Sequence, residues 1–205
     1  MSSTRLVLSR HGQTVWHREN RYAGTSDVDL TDEGHRQADL LAAWAVGERP
    51  DAVASSPVRR AVETARPVAA ALGLEPELRE DLREVFFGVA EGRTIAELTA
   101  ADPAMVRAFR ADPVTHHFPE AEDPLAASDR AARDLRALAA AHDGATVLVV
   151  AHNTLLRLAL CRLLGIDVRR YRTVFPRLDN GTLTHLVVST TGEQDASLVS
   201  FNVPL

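Results

Sequence analysis

Two short apolar runs that predict buried strands each lead into a histidine: residues 6–9 lead into His11, and residues 146–150 lead into His152. In an open α/β sheet, ligands bind beyond the carboxyl ends of the strands. If these two strands are neighbours, both imidazoles face one pocket. An imidazole with a pKa of about 6.5 exposes a nitrogen lone pair at neutral pH, so either ring could act as a nucleophile or a proton acceptor.

Arginine supplies positive charge close to these histidines. Arg10 precedes His11, and Arg59 and Arg60 follow a third predicted strand, 51–55, at the start of a helix whose unpaired N–H groups attract anions. All 23 basic residues are arginine, so mechanisms that need a P-loop lysine or a Schiff-base lysine are excluded. The pattern predicts an anion pocket built from arginine, histidine and backbone N–H groups.

The composition limits the class of protein. The chain has 205 residues, a formal net charge of −5 and 45% hydrophobic residues, which is typical of a globular protein with a sizeable core. Mild acidity argues against nucleic acid as a partner. No stretch approaches 18 apolar residues and the N-terminus does not resemble a signal peptide, so we expect no membrane span and a cytoplasmic location. The single cysteine, Cys161, excludes an internal disulfide.

Predicted strands alternate with predicted helices, which indicates an α/β fold: a three-layer sandwich with a mainly parallel central sheet flanked by helices. A proline-interrupted segment, about 94–128, predicts a small cap of short helices and loops inserted into a single domain spanning 1–205. Segment 77–92 has no clear period and is expected to be irregular. Helices are predicted from Asp32 after an N-cap at Thr31, from Pro57 to Leu72, over 129–141 and from His152 to Leu164; the last strands are predicted at 182–189 and 197–203, with a turn near Gly192-Glu193.

Six segments carry motifs in a fixed order along the chain. The first is Arg10-His11-Gly12-Gln13-Thr14, and the others are 29–38, 55–65, 82–92, 149–153 and 178–184. In these segments the chain resembles the histidine phosphatase superfamily, also called the phosphoglycerate-mutase-like family. A lone Arg-His-Gly is a weak signal, whereas six ordered motifs that cover the chain from end to end are specific.

The resemblance implies a role for each matched residue. His11 is the implied nucleophile, which becomes phosphohistidine, and Glu84 is the implied proton donor to the leaving oxygen. The residues implied to hold the phosphoryl group are Arg10, Arg60 and His152, with Gln13, His17 and Asn153 as further phosphate contacts. These residue types suit the chemistry, because guanidinium groups stabilise charge on phosphoryl oxygens and an alkoxide leaving group needs a proton. The resemblance implies no cofactor, and Arg59 is expected to face solvent.

The chain departs from the family pattern at several positions. His17 stands where the family often has asparagine, and Asn153 replaces a small residue and could touch phosphate or cap the following helix. Ala90 replaces a tryptophan, and acidic residues 120–123, predicted to form a solvated loop, replace a Gly-Gly-Glu-Ser stretch. The pair His116-His117 suggests a metal site, but adjacent histidines rarely bind one ion, so we expect no metal.

The family contains hydrolases and mutases, and a mutase needs a second anion site to retain its phosphorylated acid. The predicted cap holds only Arg107 and Arg110 against six acidic residues, which favours hydrolysis. We therefore predict a phosphatase of a small phosphomonoester, with phosphoglycerate mutase-type transfer and a non-catalytic phosphate-binding protein as alternatives. The aromatic residues available to line the pocket entrance are Trp16, Phe86, Phe87 and Phe118. Whether the chain forms a homodimer is left open.

Overall fold

A computed structural model describes residues 2–191 and 196–205 of the chain. Within these residues lie six strands and seven α-helices. The strands are β1 (Ser3–Arg10), β2 (Ala52–Ser55), β3 (Glu77–Leu78), β4 (Thr146–Ala151), β5 (Leu183–Ser189) and β6 (Ala196–Val203). The helices are α1 (Asp32–Glu48), α2 (Arg59–Leu72), α3 (Ile95–Ala101), α4 (Pro103–Ala111), α5 (Pro124–Ala141), α6 (Asn153–Leu163) and α7 (Tyr171–Val174).

The strands form one sheet in the order β3-β2-β4-β1-β5-β6. The pairs β3–β2, β2–β4 and β4–β1 are parallel, and β5 and β6 add an antiparallel edge. The neighbours β1 and β4 pair in a register that places Arg10 opposite Ala151. His11 and His152 are the next residues of the two strands, so they leave the sheet side by side. The predicted mainly parallel sheet is confirmed.

Helices cover both faces of the sheet. Successive side chains of a strand point to opposite faces, so Leu6 and Leu8 of β1 join the core that contains Leu135 of α5, whereas Val7 joins the core that contains Leu41 of α1. The apolar residues of β4 are fully buried because helices cover this parallel strand on both sides. The predicted three-layer sandwich is confirmed.

Helix α2 begins later than predicted. The predicted start at Pro57 is wrong, because the Ser56 backbone N–H still donates to the Val150 carbonyl oxygen and so extends the sheet pairing of β2. The helix starts at Arg59 and ends, as predicted, at Gly73, which has a φ of +68°. This delay keeps the Ser56 side chain at the sheet edge, where His152 lies.

Helices α3 and α4 lie within the segment predicted to form a cap, and the predicted start of the next helix at 129 is wrong, because α5 begins at Pro124. The Asp123 side chain accepts from the Leu125 N–H and caps α5, and Pro124 takes the first helical position. The predicted solvated loop at 120–123 is also wrong for Glu122, which forms a partly buried ion pair with Arg130.

Segment 77–92, expected to be irregular, contributes β3 to the sheet edge and contains short 3₁₀ turns at Glu80–Leu82 and Gly88–Ala90. The predicted turn near Gly192-Glu193 lies outside the described residues. No helix in 2–191 or 196–205 has both the length and the apolar content needed to cross a bilayer.

Candidate active site

The His11 imidazole lies at the carboxyl end of β1 and is only 5% exposed. Its Nδ1 lies 2.8 Å from the Gly12 carbonyl oxygen. A carbonyl oxygen only accepts, so Nδ1 carries the proton and Nε2 carries the lone pair. Nε2 accepts from Arg60 Nε at 3.2 Å. Burial, and then the charge of Arg60, hold the pKa of His11 well below its ordinary value of 6.5, so the ring is neutral.

Close backbone packing positions the loop that carries His11. The Gly12 N–H donates to Thr64 Oγ1 of α2 at 3.0 Å. A Cβ at Gly12 would lie 2.5 Å from the Gly34 carbonyl oxygen, and one at Gly34 would lie 2.1 Å from the Gln13 carbonyl oxygen. Glycine is therefore required on both sides of this contact, which holds the loop against the first turn of α1.

Arg60 is 1% exposed and joins the two histidines. Its terminal nitrogens donate to three carbonyl oxygens of the segment 23–26 at 2.8–2.9 Å. Its Nε donates to His11, and its Nη2 lies 3.2 Å from His152 Nδ1. The guanidinium therefore contacts both imidazole rings, and backbone carbonyl oxygens hold it in position.

His152 is fully buried at the start of α6, with its ring centroid 5.2 Å from that of His11. Its Nδ1 accepts from Arg60, so Nε2 carries the proton and donates to Ser56 Oγ at 2.7 Å. Burial, and then Arg60, lower the pKa of His152 well below 6.5. The two imidazoles lie next to each other as predicted, but the prediction that both face one pocket is wrong for His152, which is fully buried behind His11 and does not line the cleft.

Arg10 and His17 both line the cleft and are hydrogen-bonded to each other. Arg10 Nη1 donates to the Leu178 carbonyl oxygen at 2.8 Å, and its Nη2 donates to His17 Nε2. Burial, with a contribution from Arg10, lowers the pKa of His17 to about 4, which keeps the ring a neutral acceptor. Arg10 Nε is buried and has no hydrogen-bond partner among the described residues, so this guanidinium retains donor capacity.

The Glu84 carboxylate lies at the N-terminus of α6 and is 4% exposed. Its Oε1 accepts from the N–H groups of Val85 at 2.9 Å and Leu155 at 2.8 Å, and its Oε2 accepts from that of Thr154 at 3.0 Å. Backbone donors and the positive end of a helix stabilise an ionised carboxylate. One face of the carboxyl group remains directed to the cleft.

These residues share one cleft of about 390 Å³. Of the predicted site residues, it is lined by Arg10, His11, His17, Glu84 and Asn153. Arg60 and His152 lie directly behind its floor. Gln13 lies outside the lining, because its Oε1 accepts from Thr31 Oγ1 at 2.9 Å and so turns toward α1. Asn153 Oδ1 is buried with no partner in the described part of the chain, and His152, not Asn153, occupies the N-cap position of α6.

The aromatic entrance differs from the prediction. Trp16 and Phe87 line the cleft, whereas Phe86 lies outside its lining. Phe118 is buried because it stacks on Phe109 of the cap, with ring centroids 3.9 Å apart. As expected, Arg59 is half-exposed and pairs with Asp29. No group of three or more His, Cys, Asp or Glu side chains in 2–191 or 196–205 is arranged to hold a metal ion.

Sequence reasoning did not assign seven polar residues of the cleft wall to the site: Thr14, Asn20, Arg21, Tyr22, Thr154, Arg157 and Arg172. Thr14 and Arg157 lie inside or beside matched motifs and could have been assigned from them. Arg172 follows Arg169 and Arg170 in a charged run that has no distinguishing local pattern.

The family model for the histidine phosphatase superfamily (branch 1) matches residues 6–203. The bifunctional protein Rv2228c of Mycobacterium tuberculosis is 40% identical over 164 residues, which are 77% of this chain and 44% of that protein. The chain thus spans less than half the length of this relative. Phosphoserine phosphatase 1 of Hydrogenobacter thermophilus is 31% identical over 167 residues, which are 82% of this chain and 79% of that protein.

Among solved structures, the mycobacterial glucosyl-3-phosphoglycerate phosphatase Rv2419c superposes with a TM-score of 0.87 at 27% identity. The match covers 98% of this chain and 99% of that one. The likeness includes the sheet and the flanking helices that hold the cleft.

Proposed function

This chain belongs to the histidine phosphatase superfamily, and we propose that it hydrolyses a small phosphomonoester through a phosphohistidine formed on His11. The observation that carries the proposal is the His11 tautomer: Nδ1 is committed to the Gly12 carbonyl, and the lone pair on Nε2 lies among guanidinium groups. The names of two compared proteins, phosphatases of phosphoserine and of glucosyl-3-phosphoglycerate, support hydrolysis.

In the first step, His11 Nε2 attacks phosphorus, the N–P bond forms and the bond from phosphorus to the ester oxygen breaks. Arg10 and Arg60 stabilise the charge on the phosphoryl oxygens. Glu84 gives a proton to the leaving oxygen, which departs as an alcohol. The three backbone N–H donors orient the carboxyl group, and a substrate bound as its phosphate monoanion supplies the proton that Glu84 passes to the leaving oxygen.

In the second step, water attacks phosphorus and the N–P bond breaks. Glu84, now ionised, accepts a proton from the water, and His11 returns to its neutral form. Inorganic phosphate leaves, and Glu84 is again protonated. It either releases this proton to solvent or donates it in the next turnover. No metal enters either step, so EDTA is expected to leave the rate unchanged.

The test is turnover of p-nitrophenyl phosphate by the wild type and by His11→Ala. We expect the variant to lose at least about 10³-fold in kcat, because it lacks the atom that forms the covalent bond. His35→Ala is the matched control, since His35 is exposed on α1 and should leave the rate unchanged. Mass spectrometry of the enzyme, after the reaction is quenched without acid, should find a phosphoryl group on His11.

Two outcomes would contradict the proposal. One is undiminished turnover by His11→Ala. The other is a wild type that binds inorganic phosphate but releases none from any phosphomonoester, which would favour a binding protein.

A second candidate is mutase-type phosphoryl transfer, which a specific observation favours. The charge count that argued against a mutase considered only the cap, whereas Arg157 and Arg172 reach the cleft from the core. 3-Phosphoglycerate with its bisphosphate primer separates the two activities. Release of inorganic phosphate supports hydrolysis, and accumulation of 2-phosphoglycerate supports transfer.

A further inference from the structure

The Glu91 carboxylate lies beside the active site and has no part in the phosphoryl transfer described above. Its Oε1 accepts from the N–H groups of Gly24 at 2.9 Å and Phe87 at 3.0 Å, and its Oε2 accepts from Ser26 Oγ at 2.7 Å. Glu91 does not line the cleft, so it does not reach a substrate bound there. One side chain thus bridges two segments of the chain, 23–26 and 84–91.

Each of these segments holds a residue of the site. Three carbonyl oxygens of 23–26 accept from the terminal nitrogens of Arg60 at 2.8–2.9 Å. The segment 84–91 begins with Glu84, whose Oε1 accepts from the N–H of the residue that follows it. Glu91 therefore connects the backbone that orients Arg60 with the segment that carries Glu84.

The two segments pack closely at Gly24. A Cβ there would lie 2.2 Å from Glu91 Oε1 and 2.4 Å from the Val85 carbonyl oxygen. Backbone pairing beside the segments includes a bond from the Gly92 N–H to the Tyr22 carbonyl oxygen at 2.9 Å. Between the segments themselves, within the part of the chain that the structure describes, the hydrogen bonds are those of Glu91. Without its carboxylate, the buried Gly24 N–H loses its acceptor and the first segment loses its anchor.

The charge of Glu91 also acts on Arg60. Burial lowers the pKa of Arg60, and the charge of Glu91 opposes this effect, so the carboxylate favours the charged guanidinium. The terminal nitrogens of Arg60 nevertheless donate to backbone carbonyl oxygens and not to Glu91. Glu91 therefore controls the position of this guanidinium through the backbone that both side chains bind.

We propose that Glu91 is a positioning residue: it fixes the segment 23–26, whose carbonyl oxygens hold the Arg60 guanidinium with its Nε directed at His11. This inference rests on the proposed function and adds to it a residue that acts on the phosphoryl group through Arg60, without contact with the substrate. If the segment shifts, the guanidinium moves with it, and its donors lose their alignment with the phosphoryl oxygens.

The test compares Glu91→Ala with Asp112→Ala in turnover of p-nitrophenyl phosphate. Asp112 is the matched control, because its partly buried carboxylate accepts from the same kinds of donor, two backbone N–H groups and the Thr115 hydroxyl, and lies outside the cleft lining. We expect Glu91→Ala to lower kcat/KM by about 10- to 100-fold, since a displacement of about 1 Å in a positioned group has an effect of this order. Asp112→Ala should leave kcat/KM unchanged. Glu91→Gln should restore part of the loss, because its amide oxygen still accepts from the Gly24 N–H.

A double-mutant cycle separates positioning from a general structural role. In the Arg60→Ala background, Glu91→Ala should lower kcat/KM by a much smaller factor than in the wild type, because no guanidinium is left to position. A merely structural Glu91 would lower kcat/KM by the same factor in both backgrounds. Ser26→Ala keeps Arg60 and its carbonyl acceptor but removes the donor to Glu91 Oε2. It should give a smaller loss than Glu91→Ala and no further loss in combination with it, so the test remains decisive if Arg60→Ala does not fold.

Calorimetric titration with inorganic phosphate keeps the inference independent of turnover. Glu91→Ala should weaken phosphate binding by about 10-fold, the lower end of the range for a charge-assisted hydrogen bond, and should have little effect in the Arg60→Ala background. Equal values of kcat/KM for Glu91→Ala and Asp112→Ala, or equal losses in both Arg60 backgrounds, would overturn the inference. Phosphate binding that depends on Glu91 through Arg60, in a protein that hydrolyses no phosphomonoester, would instead overturn the proposed function and leave the role of Glu91 standing.

Discussion

The Nδ1–H of His11 is committed to the Gly12 carbonyl, so a single nitrogen of the ring is available for chemistry. Burial, and then the nearby charges of Arg60 and Arg10, disfavour a second proton on that ring. The proton that would block the proposed nucleophile is therefore disfavoured by burial and by the same guanidinium groups that we propose to bind phosphate.

This environment predicts the acidic limb of the pH profile. The limb of kcat/KM set by His11 should lie well below pH 6.5, because protonation of the free enzyme requires a charge beside Arg60 in a buried site. Rates with p-nitrophenyl phosphate between pH 4.5 and 8 would test it, after correction for the second phosphate ionisation of the substrate near about pH 6. Substrate binding should be measured over the same pH range for the wild type and for His11→Asn. A protein group that titrates at pH 6.5 in the wild type and is missing in the variant would contradict the prediction.

At the scale of elements, a tight steric constraint lies where the loop after β1 meets the start of α1. Gly34 lies in the first turn of α1, and its Cα faces the backbone of Gln13. The neighbouring residues of that loop include His11. Any displacement there moves the nucleophile relative to Arg60.

We predict that Gly34→Ala destabilises the fold by about 1–3 kcal/mol and lowers kcat, because its Cβ would lie 2.1 Å from the Gln13 carbonyl oxygen, which is backbone. Gly47→Ala, in the same helix, is the control: nothing lies within 4 Å of its added Cβ. It should stabilise by about 0.5–1 kcal/mol through helix propensity. Urea denaturation and p-nitrophenyl phosphate assays would measure both, and equal stabilities for the two variants would contradict the prediction.

The ion pair of Arg130 and Glu122 connects the end of the cap to α5. Its two hydrogen bonds measure 2.7 and 2.8 Å, and Arg130 Nη1 also donates to the Asp81 carbonyl oxygen at 2.6 Å. Through this bond to Asp81, the ion pair stabilises the position of the segment that carries Glu84.

Glu122→Gln should therefore cost about 2–4 kcal/mol of stability, since it leaves the 6% exposed Arg130 without a countercharge. Asp129→Asn removes an ion pair of similar length with Arg162, but both side chains are about half exposed, so we expect a change within about 0.5 kcal/mol. Thermal and urea unfolding of both variants would decide it. A Glu122→Gln loss no larger than the Asp129→Asn loss would show that the buried pair contributes little.

The elements also show how far the sequence alone leads. The strand ends that carry His11 and His152 were predictable, because continuous apolar runs followed by polar residues are typical of buried parallel strands. The start of α5 was predictable in principle from Asp123-Pro124, an N-cap followed by a proline suited to the first turn. The start of α2 was not, since sheet pairing of Ser56 overrides the local signal at Pro57. Arg172 is held in the cleft wall by packing against Phe109, which lies far from it in sequence. The sequence around Arg172 has no periodic pattern that would predict this contact.

Over the whole molecule, buried neutral histidines make stability depend on pH. His11 and His152 both have a pKa lowered well below 6.5 in the folded state, whereas each takes up a proton near 6.5 when the chain is unfolded. Below pH 6.5 protons thus bind preferentially to the unfolded chain. The contribution of these two histidines to the free energy of unfolding is therefore fully present above pH 6.5 and is lost as the pH falls below that value. His17 and His185, whose pKa values are also lowered, act in the same direction.

We predict that the free energy of unfolding decreases between pH 7.5 and 5.5, with each of the two histidines contributing up to about 1.4 kcal/mol per pH unit below 6.5. Urea titrations at several pH values would measure the slope. His11→Asn, which removes one of these groups, should make the slope shallower. Constant or rising stability on acidification over this range would contradict the prediction.

The guanidinium shared by the two imidazoles has a consequence for the proposed covalent step. When phosphorus takes the lone pair of His11, the Arg60 Nε–H loses its acceptor at the moment when negatively charged oxygens arrive beside it. That hydrogen can transfer its bond from nitrogen to oxygen with little movement, because the rest of the side chain is anchored to the main chain at 23–26. The number of hydrogen bonds is conserved across the reaction while their strength increases, so the scaffold needs almost no rearrangement to reach the intermediate.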